Sequence, residues 1–500
     1  MERDAALSVR PLGRLLDRLR EVRGPAAILV GAGLVHGLLL LWTPGFSFDE
    51  GTYVARGLTF SSSGVPYPTG FWDHPFLGWA ILGTVYRAVD FPGLALSLSA
   101  GSLRGMWVLP RVMMVIFALV NAMLVFRIAG GLLANERQAL VAMTLFAFSP
   151  LALFSRMVLL DNIGLTFLLG AILAALERSG ARRHLVMGAA SGVLFAVAVL
   201  TKLSFLAFLP MFIGILVFPK RLGLPGAAVR HPLRLWIWTA SSVAVLAVWP
   251  VYAIVSGAFD ALVAGQVWQL GRSEGFSAPE LFGYLIVRDP ILAILGIYGA
   301  YTLAKRGNRL IPLWLLSYAA FLAAISVHYD HYLIPLGAPL AICASVPVEE
   351  RIIPWVRRWD ARREGRRARL GPSTLRRLLV LGAAVGMVTY GVGMTLTNTG
   401  PQEEAYRYVV SNAAPGALVI ASPGYLWALR LVRPDLNLAS WFDVTPEGAG
   451  ASSDVTLVVD SQFALDLDRV PFVRALYDRS LPVARFGLGF ESVEVRETVL

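Results

Sequence analysis

Cysteine is almost absent from this sequence, which has Cys343 alone among 500 residues. One thiol cannot form an intrachain disulfide, and it cannot supply the several thiolates of a cysteine zinc site. Charged residues are also scarce, at 15% of the chain against 56% hydrophobic residues, and the mean hydropathy is +0.63. Soluble globular domains carry about 25% charged residues. The composition therefore excludes that class and indicates a chain that lies mostly in lipid.

Long apolar stretches supply the membrane-spanning segments. A helix needs about 20 apolar residues to cross roughly 30 Å of hydrocarbon, and such stretches recur through most of the chain. We place eleven spanning helices, at residues 25–43, 106–126, 138–154, 160–176, 185–201, 203–218, 235–255, 290–304, 310–327, 332–347 and 378–397. The sequence therefore predicts an α-helical polytopic membrane protein.

The distribution of Lys and Arg predicts the orientation, because cationic loops tend to stay in the cytoplasm. With residues 1–24 as a cytoplasmic N-terminus, the cytoplasmic segments hold 28 of the 44 Lys and Arg residues, and the external loops hold 8. We expect an integral protein of the plasma (inner) membrane with its C-terminal tail outside. The net charge of +11 does not indicate nucleic acid binding, because the basic run RRWDARREGRRARL falls in a cytoplasmic loop, near anionic lipid head groups.

Two external segments are larger than simple connections. The first, residues 44–105 of a membrane domain at 25–397, is expected to hold two amphipathic helices at the membrane interface, with a capping box from Ser47 to Glu50. The second, residues 398–500, alternates helical and strand patterns and predicts a small extracytoplasmic α/β domain. It has no glycine-rich phosphate motif, so we expect it to act in recognition or as a lid.

Acidic residues beside apolar runs need a reason, because a charge at the centre of a membrane helix costs about 2.5–3.5 kcal/mol. Asp49 and Glu50 follow the first helix on the external face. They either cap the next helix or place a carboxylate that takes a proton from an attacking hydroxyl or amine. Asp161 begins an apolar helix, where it either pairs with Arg156 or belongs to a site.

Cations lie on the same face, at the depth of lipid phosphates. Lys202 interrupts LFAVAVLTKLSFLAFLP, and Arg288 lies in LIVRDP. Each side chain either extends to the head groups or binds a phosphate. The segment VHYDHYLIP places His328, Asp330 and His331 within four residues, which would suit a divalent metal ion, although histidines bonded to head groups are commoner. A metal is an option that the pattern does not require.

Five short motifs follow one another along residues 25–345: FSFDEGTY, WDHPFLGW, SRMVLLDN, LTKLS and HYLIPL. Their order resembles the GT-C superfamily of multi-helix glycosyltransferases, most closely the bacterial branch related to protein O-mannosyltransferases and aminoarabinose transferases. The resemblance implies that Asp49 is the catalytic base, that Asp161 is the family's second acid and that Lys202 binds phosphate. It also implies a GT-C-like fold for the membrane domain.

The sequence departs from this family at two positions. His74 stands where relatives often carry Lys followed by two prolines, and His331 stands where an Arg often precedes the Tyr-Leu-x-Pro motif. The candidate catalytic residues are Asp49, Glu50 and Asp161; the candidate donor-binding residues are His74, Lys202, Arg288, His331 and Tyr332; and the candidate auxiliary residues are Asp73, Arg156, His328 and Asp330.

The resemblance implies a polyprenyl-phosphate sugar as donor, with membrane lipids around its prenyl chain and a glycan, a lipid or a protein as acceptor. We expect a single displacement on the external face, with inversion at the anomeric carbon. The alternative is a transporter or flippase, which usually has ionisable groups and broken helices near the midplane of repeated halves. The sequence has neither a clear repeat nor a ladder of charges. A receptor that binds through the tail would leave the acids of the first loop unexplained.

Overall fold

The computed structural model describes residues 9–67, 70–99, 101–177, 181–224, 232–272, 277–326, 329–363, 372–394, 399–446, 454–489 and 492–499. The first helices are α1 (Val9–Leu38), α2 (Phe48–Ser63), α3 (Leu77–Ala88), α4 (Phe91–Ser99), α5 (Leu103–Met106), α6 (Val108–Leu133), α7 (Glu136–Phe148), α8 (Pro150–Phe154), α9 (Leu160–Leu176) and α10 (Ala181–Thr201). They are followed by α11 (Leu209–Val217), α12 (Pro232–Leu246), α13 (Val248–Val255), α14 (Phe259–Gly271), α15 (Ala278–Arg288), α16 (Pro290–Lys305), α17 (Leu310–Ala324), α18 (Ile334–Pro347), α19 (Ile353–Arg363) and α20 (Pro372–Met394).

Each of the eleven apolar stretches contains helix, because a helix satisfies its own backbone hydrogen bonds, as hydrocarbon requires. Within the described residues, four helical stretches are long and apolar enough to cross a membrane, and a fifth is added if α15 and α16, bent by 107°, count as one span. The four stretches are Val108–Leu133, Arg182–Thr201, Pro232–Val255 and Asp330–Trp359. Shorter apolar helices include Leu160–Leu176 and Leu310–Ala324. The count of eleven spans stays a prediction.

The membrane helices share one apolar core. Helix α10 packs between α9 and α12, and α18 packs against α7 and α16. Every residue of α18 is buried. Gly299 allows the close approach of α16, since a Cβ there would lie 1.9 Å from the carbonyl oxygen of Cys343. This close packing supports the segments that connect these helices.

Residues 44–105, the segment predicted to be the first external loop, contain the expected capping box. The Ser47 side chain accepts a hydrogen bond from the Glu50 N–H, and the Glu50 side chain accepts one from the Ser47 N–H. Helix α2 then packs on α3. The loop has two further short helices, α4 and α5, which were not predicted.

The tail is the small α/β unit that was predicted. It contains α21 (Gly400–Asn412), β1 (Leu418–Ala421), α22 (Pro423–Val432), β2 (Asn437–Ser440), β3 (Asp454–Val459), α23 (Ser461–Asp466), α24 (Pro471–Arg479), β4 (Leu481–Phe486) and β5 (Val493–Val499). The strand order is β2-β1-β3-β5-β4, with β1 parallel to β2 and β3, and with β5 antiparallel to β3 and β4. Helix α22 packs on α2, so the tail lies directly on the first external loop.

Candidate active site

A cavity of about 1260 Å³ lies between the first external loop, the segment around α14 and α15, and the tail. Of the predicted site residues, its wall includes Asp49, Asp73, His74, Arg288, Asp330 and His331. Glu50, Arg156, Asp161, Lys202 and Tyr332 are described but lie outside that wall, and His328 falls outside the described residues. The tail contributes a further set of polar residues, namely Gln402, Arg430, Asp443, Asp460, Gln462 and Arg469.

Asp49 is an accessible carboxylate in this wall. It stands in the first turn of α2, and its side chain is 40% exposed. The Nε2 atom of His331 lies 3.9 Å from Asp49 Oδ2, and the Nδ1 atom lies 3.7 Å from Asp330 Oδ1. The imidazole, which is stacked on Tyr329, therefore lies between two carboxylates. Asp49 has the access to the cavity that a proton acceptor needs.

Glu50, the next residue, has a different environment. Its side chain is fully buried, and it forms an ion pair with Arg111 at 2.9 Å. Glu50 Oε1 also accepts a hydrogen bond from the Val158 N–H at 2.8 Å, in addition to the capping bond from Ser47. Arg111, which the sequence did not single out, donates further to three carbonyl groups in the segment between α1 and α2. These bonds indicate a structural role for Glu50. Of the two adjacent acids, Asp49 is therefore the one that faces the cavity.

Asp161 and Lys202 form a second buried ion pair, with 2.6 Å between Lys202 Nζ and Asp161 Oδ2. The ammonium also lies 4.4 Å from the centre of the Tyr332 ring. Arg156 is buried in the turn before α9, but the ion pair observed for Asp161 is the one with Lys202. Asp161 Oδ1 is buried and has no hydrogen-bond partner among the described residues. The positive charge of Lys202 is therefore already balanced by a neighbour.

The cavity face of α2 carries two residues that sequence reasoning missed. Tyr53 and Arg56 follow Asp49 by four and seven residues, so all three share one side of the helix. Burial, then the negative charges of Asp49 and Asp161, raises the pKa of the Tyr53 hydroxyl well above its usual range. Tyr53 is therefore a neutral hydrogen-bond donor among acids. The helical spacing from Asp49 is the signal that could have identified it.

Arg56 connects α2 to the Asp73-His74 turn through a 2.8 Å bond to Asp73 Oδ1. Burial opposes ionisation of Asp73, but the charge of Arg56 and its hydrogen bond to the carboxylate act in the other direction, and the pKa of Asp73 is lowered. Burial lowers the pKa of His74, the Asp73 charge opposes this shift, and the charge of Lys202 adds to it. The net shift favours the neutral form of the His74 imidazole.

Arg288 and Arg272 form the cationic part of the wall on the side of α14 and α15. Arg288 stacks over Tyr284 and Phe154, with 4.7 and 5.2 Å to the ring centres, and its Nε donates to the Tyr284 hydroxyl. Arg272, which was not predicted, donates from Nη2 to the Tyr329 hydroxyl at 3.0 Å. Guanidinium groups held by aromatic rings in this way suit a phosphate.

No group of three His, Cys, Asp or Glu side chains is close enough to hold a metal ion within the part of the chain that the structure describes. The predicted set of His328, Asp330 and His331 is only partly described, because His328 falls outside it. The described residues thus provide no ligand set for the suggested divalent cation.

No protein-family model and no curated protein matches this sequence. Solved structures do match it. ArnT from Cupriavidus metallidurans, in a crystal structure bound to undecaprenyl phosphate, has a TM-score of 0.62 at 14% identity over 94% of this chain and 97% of that one. The archaeal oligosaccharyltransferase AglB from Archaeoglobus fulgidus, in complex with an inhibitory peptide and a dolichol-phosphate, has a TM-score of 0.52 at 14% identity over 88% of this chain and 70% of that one. Both are GT-C membrane glycosyltransferases, so the chain has the predicted GT-C fold.

Proposed function

We propose that this chain is a glycosyltransferase that moves a sugar from a polyprenyl-phosphate donor to an acceptor on the extracytoplasmic face of the membrane. The observation that carries the proposal is Asp49, an accessible carboxylate in a large cavity of a GT-C fold, with two arginines in the same wall. The similarity to ArnT, whose structure contains undecaprenyl phosphate, supports the choice of donor.

The reaction is a single displacement at the anomeric carbon. Asp49 takes the proton of the acceptor hydroxyl or amine while the acceptor atom forms its bond to that carbon. The bond from the anomeric carbon to the phosphate oxygen breaks, and its electron pair leaves with the polyprenyl phosphate. Attack opposite to the leaving group inverts the configuration.

The phosphate is assigned first to Arg272 and Arg288, because both line the cavity beside the membrane helices. They stabilise the charge that develops on the leaving phosphate. Of the other arginines in the wall, Arg56 is paired with Asp73, and Arg430 and Arg469 belong to the tail. Lys202 remains a candidate for this role, with Tyr332 beside it, but its ammonium must then be shared with Asp161. His331 lies next to Asp49 and is placed to act on either the phosphate or the base.

The test compares the native chain with Asp49→Asn in lipid nanodiscs. A panel of polyprenyl-phosphate sugars is supplied together with an envelope extract as the source of acceptors, and the release of polyprenyl phosphate is measured. We expect at least a hundredfold loss in the variant, since general base catalysis contributes about 10² to 10⁴ in rate. Asp90→Asn, which changes an exposed acid of the same loop, is the matched control.

Equal release by the native chain and Asp49→Asn would eliminate Asp49 as the base. Absence of release from every donor would count against the transferase and in favour of a transporter of lipid-linked solutes. Inversion is checked separately, by the anomeric configuration of the product.

A further inference from the structure

The backbone that leads into Asp49 is bonded to the tail. Phe46 precedes α2 and Phe48 is its first residue, and Ser47 between them is extended, with φ −98° and ψ 164°, so the N–H groups of Phe46 and Phe48 need partners outside the helix. The Phe46 N–H donates to Gln402 Oε1 at an N–O distance of 2.7 Å, and Gln402 Nε2 donates to the Phe46 carbonyl at 2.8 Å. The Phe48 N–H donates to Gln462 Oε1 at 3.0 Å. We call these three hydrogen bonds the glutamine clamp.

Both glutamines are mounted on ordered parts of the tail. Gln402 lies in the first turn of α21 and is 8% exposed. Gln462 lies at the start of α23, where the side chain of Asp460 caps the helix by accepting a bond from the Phe463 N–H at 2.9 Å. The Phe48 ring also packs on the tail, 5.1 Å from the Trp441 ring. The clamp therefore attaches residues 46–48 to ordered helices of the tail.

We infer that Gln402 and Gln462 are positioning residues that fix the place of Asp49 in the cavity, and that the tail is thereby part of the catalytic apparatus. Asp49 follows Phe48 directly, so a shift of the clamped backbone moves the carboxylate with it. A displacement of about 1 Å at a reacting group lowers the rate by about 10²-fold. The inference rests on the proposed transferase function for its kinetic readout.

The two glutamines bond differently, and this difference gives a sharp test. Gln462 only accepts a hydrogen bond in the clamp, so Gln462→Glu keeps an oxygen for the Phe48 N–H. Gln402 both accepts and donates, so Gln402→Glu keeps the first bond but places a carboxylate oxygen against the Phe46 carbonyl. If the two glutamines only filled space, Gln402→Glu and Gln462→Glu would have similar effects on activity. The clamp predicts instead that only Gln462→Glu retains function.

The kinetic experiment measures polyprenyl phosphate release in nanodiscs for Gln402→Ala, Gln462→Ala and the two glutamate variants. We expect kcat to fall about 10- to 100-fold in both alanine variants and in Gln402→Glu, with the donor KM unchanged, and to stay within about threefold of native in Gln462→Glu. Asn437→Ala is the control, because it removes a side-chain amide bond to Gly416 that lies wholly within the tail.

A second readout does not depend on activity. Hydrogen exchange of peptides that cover residues 44–52 should be at least tenfold faster in Gln402→Ala and Gln462→Ala than in the native chain, and unchanged in Asn437→Ala. Unchanged exchange in both clamp variants would overturn the inference, and so would native kcat in an alanine variant. If the native chain transfers no sugar, the proposed function fails and the exchange experiment alone decides the clamp.

Discussion

Asp49 and Glu50 are adjacent in the chain but have different surroundings, because successive residues of a helix point about 100° apart. Glu50 turns toward Arg111 and the Val158 N–H, where its charge is neutralised in the protein interior. Asp49 turns toward the cavity and His331. Of the two adjacent acids in the first turn of α2, one thus fixes the loop and the other is available for chemistry.

The Asp161–Lys202 ion pair also could serve either the structure or the chemistry. Both side chains are at most 5% exposed. Removal of one member of a buried pair leaves an uncompensated charge and costs about 3–5 kcal/mol, whereas apolar replacement of both is often tolerated. We predict that Lys202→Met lowers the thermal unfolding temperature in detergent, and that Lys202→Met with Asp161→Leu restores most of the loss, as measured by tryptophan fluorescence.

Donor turnover by the double variant separates two roles of this pair. Restored stability without release of polyprenyl phosphate would show that one of the two residues acts on the substrate. Restored stability with native release would remove both from the proposed site. A double variant as unstable as Lys202→Met would contradict the view that the lost partner is the source of the instability.

At the scale of elements, the contact of α2 with α22 decides where the tail sits. Gly51 lies one turn inside α2, and a Cβ at this position would lie 2.1 Å from the Gly424 nitrogen and 2.2 Å from the Pro423 carbonyl carbon. Both are backbone atoms, which cannot rotate away as a side chain would. The two helices therefore touch at their backbones, close to Asp49.

We predict that Gly51→Ala separates the tail from α2 and lowers sugar transfer at least tenfold. Alanine favours a helix over glycine by about 1 kcal/mol, so a loss of function would arise from the contact and not from α2 itself. Gly283→Ala in α15 is the control, since a Cβ there meets no atom within 4 Å. Limited proteolysis of the tail measures the separation. Native transfer and native protease resistance in Gly51→Ala would contradict the prediction.

Elements with uniformly apolar runs were among those that the sequence predicted. Apolar runs indicated helices α6, α9 and α10, and the pattern ALVIAS indicated β1. Strand β4 was missed because LPVARF is mostly exposed and so lacks an apolar face. Strand β5 was missed although VEVRETV alternates, because its nearby partner β4 was missed as well and its other partner, β3, is about 40 residues away in the chain.

At the scale of the whole molecule, the order of short motifs predicted the GT-C fold, and the topology from the distribution of Lys and Arg predicted that Asp49 and His331 lie on one face. Nothing in the sequence predicted that Gln462, which is 414 residues from Phe48, would bond to the segment before Asp49. Contacts of this kind depend on how two folded units pack against each other, so a local sequence pattern does not predict them. The sequence therefore predicted residues in the part of the cavity wall that the membrane domain forms. It did not predict the part that the tail forms, because that part depends on long-range packing.

The orientation of the chain gives the last prediction, and Cys343 makes it simple to test. This sole cysteine is fully buried in α18, so the native chain should react little with a thiol reagent that does not cross membranes. Asn412 in the tail and Lys220 in the loop expected in the cytoplasm are both exposed. Because cationic loops remain inside, Asn412→Cys should be labelled in intact spheroplasts of an expressing bacterium, and Lys220→Cys only after permeabilisation. The reverse pattern would place Asp49 and its cavity on the cytoplasmic side, and an extracytoplasmic transfer reaction would then be untenable.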